Sequence, residues 1–170
     1  MFLVEMLKQQ SRTRLAGWPL GLLRIATGIM FLAPGWRKVS TDWSAQGFIE
    51  ASVAGFPDSD DRAGASGIYA WFLENIVLAA PALFSFLVAW GELLIALALI
   101  FGVASRLAAA LGAFMLLNFH WAKGIDFWSA GNYDALWVLI FLVLALTAAG
   151  RVFGVDDYLY RRWPRGRWIW

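Results

Sequence analysis

The chain has 170 residues, 61% of them hydrophobic and 15% charged, with a mean hydropathy of +0.62, far more apolar than a water-soluble domain of this size and consistent with one membrane domain. Its formal net charge of +2 is spread around apolar segments and forms no recognition surface, so no nucleic-acid partner is expected. The absence of cysteine excludes disulfides, thiolate metal ligands and cysteine-based nucleophilic or redox chemistry within the chain.

The opening stretch to Ser11 contains Lys8 but no short hydrophobic core followed by a small-residue cleavage motif, so no cleaved signal peptide is expected. A first apolar segment, Trp18 to Trp36, is interrupted by Arg24 and closed by Pro34-Gly35-Trp36-Arg37-Lys38. At about 1.5 Å per residue it nearly crosses a hydrocarbon layer of about 30 Å. The connection from Arg37 to Pro81 is too long for a turn. Pro57 to Asp61 reads as an exposed acidic turn, while Trp43 to Val53 and Ile68 to Leu78 read as amphipathic surface helices, serving either as a lid or docking surface or as a membrane-hugging connector.

The second apolar segment, residues 82–102, carries Glu92 as its sole charge, and Pro81 favours a start or kink before it. The third, residues 107–121, is marginally short and holds Asn118 and His120 near its far end; the fourth, residues 133–150, is apolar after Asp134. Helix-length runs without period-2 alternation predict an all-α fold, a polytopic bundle of four transmembrane helices, and argue against a β-barrel.

Nine basic residues (Lys8, Arg12, Arg14, Arg106, Arg151, Arg161, Arg162, Arg165 and Arg167) fall on one side of this arrangement. The other side receives Arg37, Lys38, Arg62 and Lys123 together with Asp42, Glu50, Asp58, Asp60, Asp61, Glu74 and Asp126. The positive-inside rule therefore predicts both termini cytoplasmic and residues 37–81 as an extracytoplasmic loop. Among the 11 tryptophans, Trp18, Trp36, Trp121, Trp128 and Trp163 lie near predicted membrane borders, which accounts for them without a cofactor-stacking role. Gly17 with Gly21, and Ala104 with Ala108 and Gly112, are small-xxx-small spacings that permit close helix packing. The glycines form neither a Walker loop nor a dinucleotide fingerprint.

Arg24 and Glu92 are the strongest anomalies, since an unpaired charge in lipid is costly. Counted from Trp18 and Gly102, they lie at depths of about 9 and 15 Å from the same side, a difference that a long arginine side chain bridges. An Arg24–Glu92 pair is therefore expected, either as a structural clasp or in a proton- or quinone-coupled role. Near the other border Arg37, Lys38, Asn118, His120, Lys123, Asp126, Tyr133 and Asp134 form a second candidate cluster. His120 there suits a quinone carbonyl or proton exchange, because histidine titrates near neutral pH. A single histidine and no cysteine leave no diagnostic metal set and no paired haem ligands, so neither cofactor is expected from this chain alone.

Leu23-Arg24-Ile25-Ala26-Thr27-Gly28-Ile29-Met30-Phe31-Leu32 with Gly35-Trp36-Arg37-Lys38, then Gly91-Glu92-Leu93-Leu94-Ile95 through Gly102, Ser105-Arg106-Leu107-Ala108-Ala109, Leu117-Asn118-Phe119 and Ala149-Gly150-Arg151 resemble the DoxX/DoxD-like membrane protein family. That family includes the large membrane subunit of thiosulfate:quinone oxidoreductase. The resemblance spans about Leu20 to Arg151 and implies a four-helix protein of the bacterial or archaeal cytoplasmic membrane. In that family such a protein works with a second subunit to pass electrons from thiosulfate to a quinone. Arg24, Glu92, Arg106 and Asn118 match the family's polar pattern. The expected site has Arg24, Glu92 and His120 as catalytic candidates and Arg37, Lys38, Asn118 and His120 around a quinone head group. Membrane lipid or quinone and another protein subunit are the expected partners. The alternative is a noncatalytic accessory or scaffold subunit of a larger membrane complex. Small-solute transport is disfavoured by the absence of recognisable internal repeats.

Overall fold

A computed structural model describes residues 2–56, 62–129, 132–163, 166 and 169, with side chains from Gly17 onward. The expected turn from Pro57 to Asp61, together with Arg165 and Arg167, lies outside the described residues; Lys8, Arg12 and Arg14 are described by backbone alone. All described elements are helical. They are α1 (Phe2–Ser40), α2 (Gln46–Ala54), α3 (Gly67–Phe72) running into a π-helical turn (Leu73–Val77), α4 (Pro81–Phe101), α5 (Ser105–Lys123), α6 (Tyr133–Leu146), a 3₁₀ turn (Ala149–Arg151) and α7 (Asp156–Arg162).

The helix expected to end at Trp36 continues through Pro34 to Ser40. A proline forfeits one backbone hydrogen bond, but tertiary contacts hold the turn beyond it. A Cβ on Gly35 would lie 2.8 Å from the Leu93 amide nitrogen, and Lys38 is tied to Glu92. One side of α1 thus lies against the α4 backbone. Gly28 makes the same approach two turns earlier, where a Cβ would sit 2.9 Å from the Ala96 carbonyl oxygen. These glycines set the register of the α1–α4 pair, with Gly28 opposite Ala96 and Ile100 and Gly35 opposite Glu92 and Leu93.

The second helix pair is α5 with α6, where Gly112 receives the fully buried ring of Phe141. Gly17 and Gly21, spaced like a helix-packing pair, instead face Val152 in the C-terminal segment. Phe31, Ile95, Leu99, Leu116, Val138, Phe141 and Leu144 form the bundle core. A smaller core of Ala45, Ile49, Leu73, Val77 and Ala122 lies under the connection between α1 and α4, which is thereby folded as a lid over the ends of α4 and α5. The Gly64 amide donates to the Lys123 carbonyl at 3.0 Å and Ala65 to Ser52 at 2.7 Å, pinning the lid's backbone.

The exterior is apolar where a soluble protein's would be polar. Leu22, Ile29, Met30, Leu87, Trp90, Leu94, Phe114, Leu142 and Leu146 are exposed, whereas Arg24, Thr27, Glu92, Ser105 and Asp156 are buried. Such a surface suits hydrocarbon and would aggregate in water. Among the described residues two helices, Gly17–Ser40 and Pro81–Phe101, are long and apolar enough to cross a membrane. The fourth segment is shorter than expected: α6 stops at Leu146, and the chain turns through Ala149–Arg151 into α7.

Candidate functional site

The expected Arg24–Glu92 pair does not form. The bundle register explains why: Arg24 lies beside Gly102, whereas Glu92 lies beside Gly35. Eleven helix positions separate Arg24 from Gly35, on the order of 15 Å along the axis. The first apolar segment is offset from its neighbour, so Trp18 and Gly102 are not level, and depths counted from those two residues cannot be compared. Phe31, Ile95, Ala96 and Leu99 fill the layer between. Two separate polar clusters result.

In one cluster Lys38, in the last turn of α1, reaches Glu92 Oε1 at 2.5 Å, with side-chain exposures of 13% and 5%. The Lys38 ammonium lies 4.9 Å from the Trp43 ring centre and 5.5 Å from that of Phe119. Ion pairing and the two aromatic faces together offset the loss of water around the lysine. Glu92 is compensated on one oxygen only: Oε2 is buried and has no hydrogen-bond partner among the described residues. Sequence reasoning placed both residues among the candidates but in different clusters. The signal it lacked was the Gly28–Gly35 spacing, which aligns the C-terminal part of α1 with the middle of α4.

His120 follows Phe119 on α5 and is buried. Beside it lies Asn132, the residue that caps α6. Asn132 Oδ1 accepts from the Ala135 amide at 3.3 Å, and Nδ2 donates to the carbonyls of Asp126 at 3.0 Å and Phe127 at 3.2 Å. With the amide orientation so fixed, Nδ2 also lies 3.3 Å from His120 Nδ1. Phe127 packs edge-on against the ring, with centroids 5.2 Å apart.

The remaining expected contacts divide. Asn118 is occupied in closing the lid: its Oδ1 and carbonyl accept from the Tyr69 hydroxyl at 3.2 and 2.9 Å, and its amide donates to the Phe114 carbonyl at 2.8 Å. Burial pushes the Tyr69 hydroxyl up to about 12. Arg37 is exposed, and its side chain makes no polar contact among the described residues. Lys123 and Asp134 pair at 2.6 Å and join the end of α5 to the start of α6.

The opposite cluster is a clasp. Fully buried Arg24 donates from Nη1 to the Leu99 carbonyl at 2.7 Å and from Nη2 to those of Val152 and Phe153 at 3.1 and 3.3 Å. Fully buried Asp156, which sequence reasoning missed, accepts from the Ala104 and Ser105 amides at 2.7 and 2.9 Å. It thereby satisfies the first amides of α5 and complements the helix dipole. Gly102, Gly150 and Gly154 leave room for these groups: a Cβ at Gly102 would overlap Arg24 Nη1, and one at Gly150 would overlap Asp156 Oδ2. An aspartate pair, Asp156-Asp157, after the last apolar run and preceded by Gly150 and Gly154, was the available signal.

No solved structure matches the chain. The family model for DoxX matches residues 20–122, which take in Arg24, Lys38, Glu92, Asn118 and His120 and cover more than half of the sequence. The chain belongs to the DoxX family, a family of membrane proteins.

Proposed function

We propose that this chain is the membrane subunit of an oxidoreductase that binds a quinone head group beside Lys38, Glu92 and His120 and receives electrons from a sulfur donor such as thiosulfate through a partner subunit. On this reading α1, α4, α5 and α6 cross a bacterial or archaeal cytoplasmic membrane, both termini are cytoplasmic, and the lid and the Lys38 cluster lie at the outer face. The nine basic residues grouped on one side of the apolar segments support that orientation.

The observation that carries the proposal is the half-paired, buried carboxylate of Glu92 held by Lys38 between Trp43 and Phe119. A quinone site needs apolar walls, a donor for a carbonyl oxygen and a group that exchanges protons. Trp43 and Phe119 provide the walls, the His120 ring and the Lys38 ammonium are donors, and Glu92 Oε2 can hold a proton. A bound quinone supplies the capacity to take up two electrons with two protons. Lys38 fixes Oε1 and leaves Oε2 for proton exchange; Asn132 lies against the His120 ring, 3.3 Å from Nδ1. Arg24 and Asp156 belong to the distant clasp and serve the fold.

The second reading, a noncatalytic accessory subunit, draws on the lid, which presents exposed Ile68 and Trp71 while Tyr69 ties it to α5. Purification with native lipids and partners, followed by quinone binding and thiosulfate-dependent quinone reduction, separates the two. Glu92→Gln and His120→Ala are expected to lower turnover by about 100-fold or more, what the loss of one acid–base group costs, while assembly is retained. A fully assembled complex that neither binds quinone nor reduces it with any sulfur donor leaves the accessory reading standing.

A further inference from the structure

The connection between α1 and α4 has two unlike outward faces. On α2 the exposed residues include Gln46, Gly47 and Glu50, and the Gln46 side-chain amide donates to Glu50 Oε1 at 2.8 Å, as on a surface in water. α3 instead presents Ile68, 86% exposed, and Trp71, 56% exposed. Its other side is apolar too: Phe72 packs against the small core that holds Leu73 and Val77 of the π-helical turn. A helix that is apolar all round has to be covered on both sides, and the lid's own core covers only one.

The place where α3 is fastened indicates what covers the other. On α5, Leu107, Leu111, Phe114 and Trp121 are exposed at helical spacing in a single stripe, while Ala109, Gly112, Leu116 and His120 are buried on the opposite side. That stripe is the side of α5 that meets hydrocarbon when the helix crosses a membrane. Asn118 falls within it, between Phe114 and Trp121, and is partly exposed. The Tyr69 hydroxyl bonds to Asn118, and the Tyr69 ring meets Trp121 edge-on with centroids 5.7 Å apart. α3 is thus laid on the lipid-facing side of α5, where it covers a polar break that hydrocarbon would leave unsatisfied. Ile68 and Trp71 become the outer surface at that level. Asn118 precedes Lys123 by about 7.5 Å along the helix axis, and Lys123 pairs with Asp134 at the helix end. The depth of α3 is therefore that of the border between acyl chains and head groups, where tryptophan is favoured.

We infer that Ile68 and Trp71 insert into the bilayer border, so that the lid straddles two phases, with α2 in water and α3 in lipid. The partner of this face is the lipid surface itself, and the membrane helps to keep the lid in place. The inference rests on the membrane placement of α5 proposed above but on neither quinone binding nor orientation.

Because the chain contains no cysteine, Ile68→Cys, Trp71→Cys, Gly47→Cys and Leu111→Cys each supply a single thiol at an exposed position. The full-length variants are labelled with an environment-sensitive fluorophore and reconstituted in phosphatidylcholine nanodiscs that carry a nitroxide either at the top or in the middle of one acyl chain. Labels at Ile68 and Trp71 are expected to emit to the blue of the label at Gly47 and to be quenched severalfold more by the shallow nitroxide, with the order reversed for aqueous iodide. The label at Leu111 should respond most to the mid-chain nitroxide. To remove any pull of the fluorophore toward lipid, the unlabelled thiols are also timed against a small charged methanethiosulfonate. Those at Ile68 and Trp71 should react severalfold more slowly than that at Gly47, since a thiol in apolar surroundings resists ionisation. Iodide access and thiol reactivity at Ile68 and Trp71 equal to those at Gly47, with Leu111 quenched at mid-chain, overturn the inference and leave this face to a protein partner. A label at Leu111 that no lipid nitroxide quenches overturns the placement of α5, and the inference with it.

Discussion

Lys38 and Glu92 compensate each other's loss of water, and their energetics differ from those of a surface ion pair. Lys38→Met leaves a buried carboxylate without its cation and is expected to cost about 3–5 kcal/mol. In the double variant Lys38→Met/Glu92→Gln both charges are gone, and most of that stability should return while the proposed quinone reduction stays low. A denaturation cycle over the four proteins measures the coupling; additive effects would show that the pair contributes little. Tyr69 gives a pH-dependent counterpart outside the spanning helices. Its folded-state value near 12 lies above the ordinary tyrosine value of 10.0, so its contribution is complete below pH 10 and is lost as pH rises through about 12. Alkaline stability curves of wild type and Tyr69→Phe should therefore converge across that interval, and parallel curves would refute the assignment. Which residues are chemically exceptional was legible in the sequence, because Arg24, Glu92 and His120 interrupt apolar runs. Their partners were not. Arg24 is satisfied by backbone carbonyls, which carry no residue-type signal, and Glu92 by a lysine whose turn of helix lies beyond a proline.

Among the elements, the α1–α4 pair decides the geometry of the outer cluster. Gly35→Ala would place a methyl group against the α4 backbone at Leu93 and Glu92, where no side chain can move aside. It is expected to cost about 1–3 kcal/mol, as overpacking does, and to lower the proposed quinone reduction by shifting Glu92 relative to Lys38. Gly47→Ala on exposed α2 is the matched control, since nothing lies within 4 Å of the added carbon. It should be neutral or stabilising by up to about 1 kcal/mol. Thermal unfolding of the two variants beside wild type checks both expectations. Hydropathy revealed that helices exist in these regions, but their lengths depended on tertiary contact. Beyond Pro34 the helix is held by α4, and the aromatic connection from Arg37 to Pro81 could be recognised as lid or connector only once Tyr69 met Asn118 and Gly64 met Lys123.

For the molecule as a whole, the cysteine-free sequence makes the proposed topology directly accessible, because any introduced cysteine is the sole thiol. Ser59→Cys in the long connection should react with an impermeant maleimide in intact cells, and Ser11→Cys and Gly166→Cys only after permeabilisation. The reverse pattern would invert the bundle and place the lid in the cytoplasm. The clasp has a further consequence during biosynthesis. Arg24 enters the membrane early, but the Phe153 carbonyl that it binds is 129 positions later in the chain, a delay on the order of 10 s at ordinary rates of translation. Until the last segment emerges, the nascent first helix holds a guanidinium that lacks two of its three carbonyl acceptors. A message truncated just before Val152 would leave the apolar segments intact and still give a product marked for degradation. Pulse-chase measurement of that truncation against the full chain should show its half-life collapsing while membrane insertion is unchanged, so that completion of the C-terminus acts as the proofreading step of the polypeptide's own manufacture.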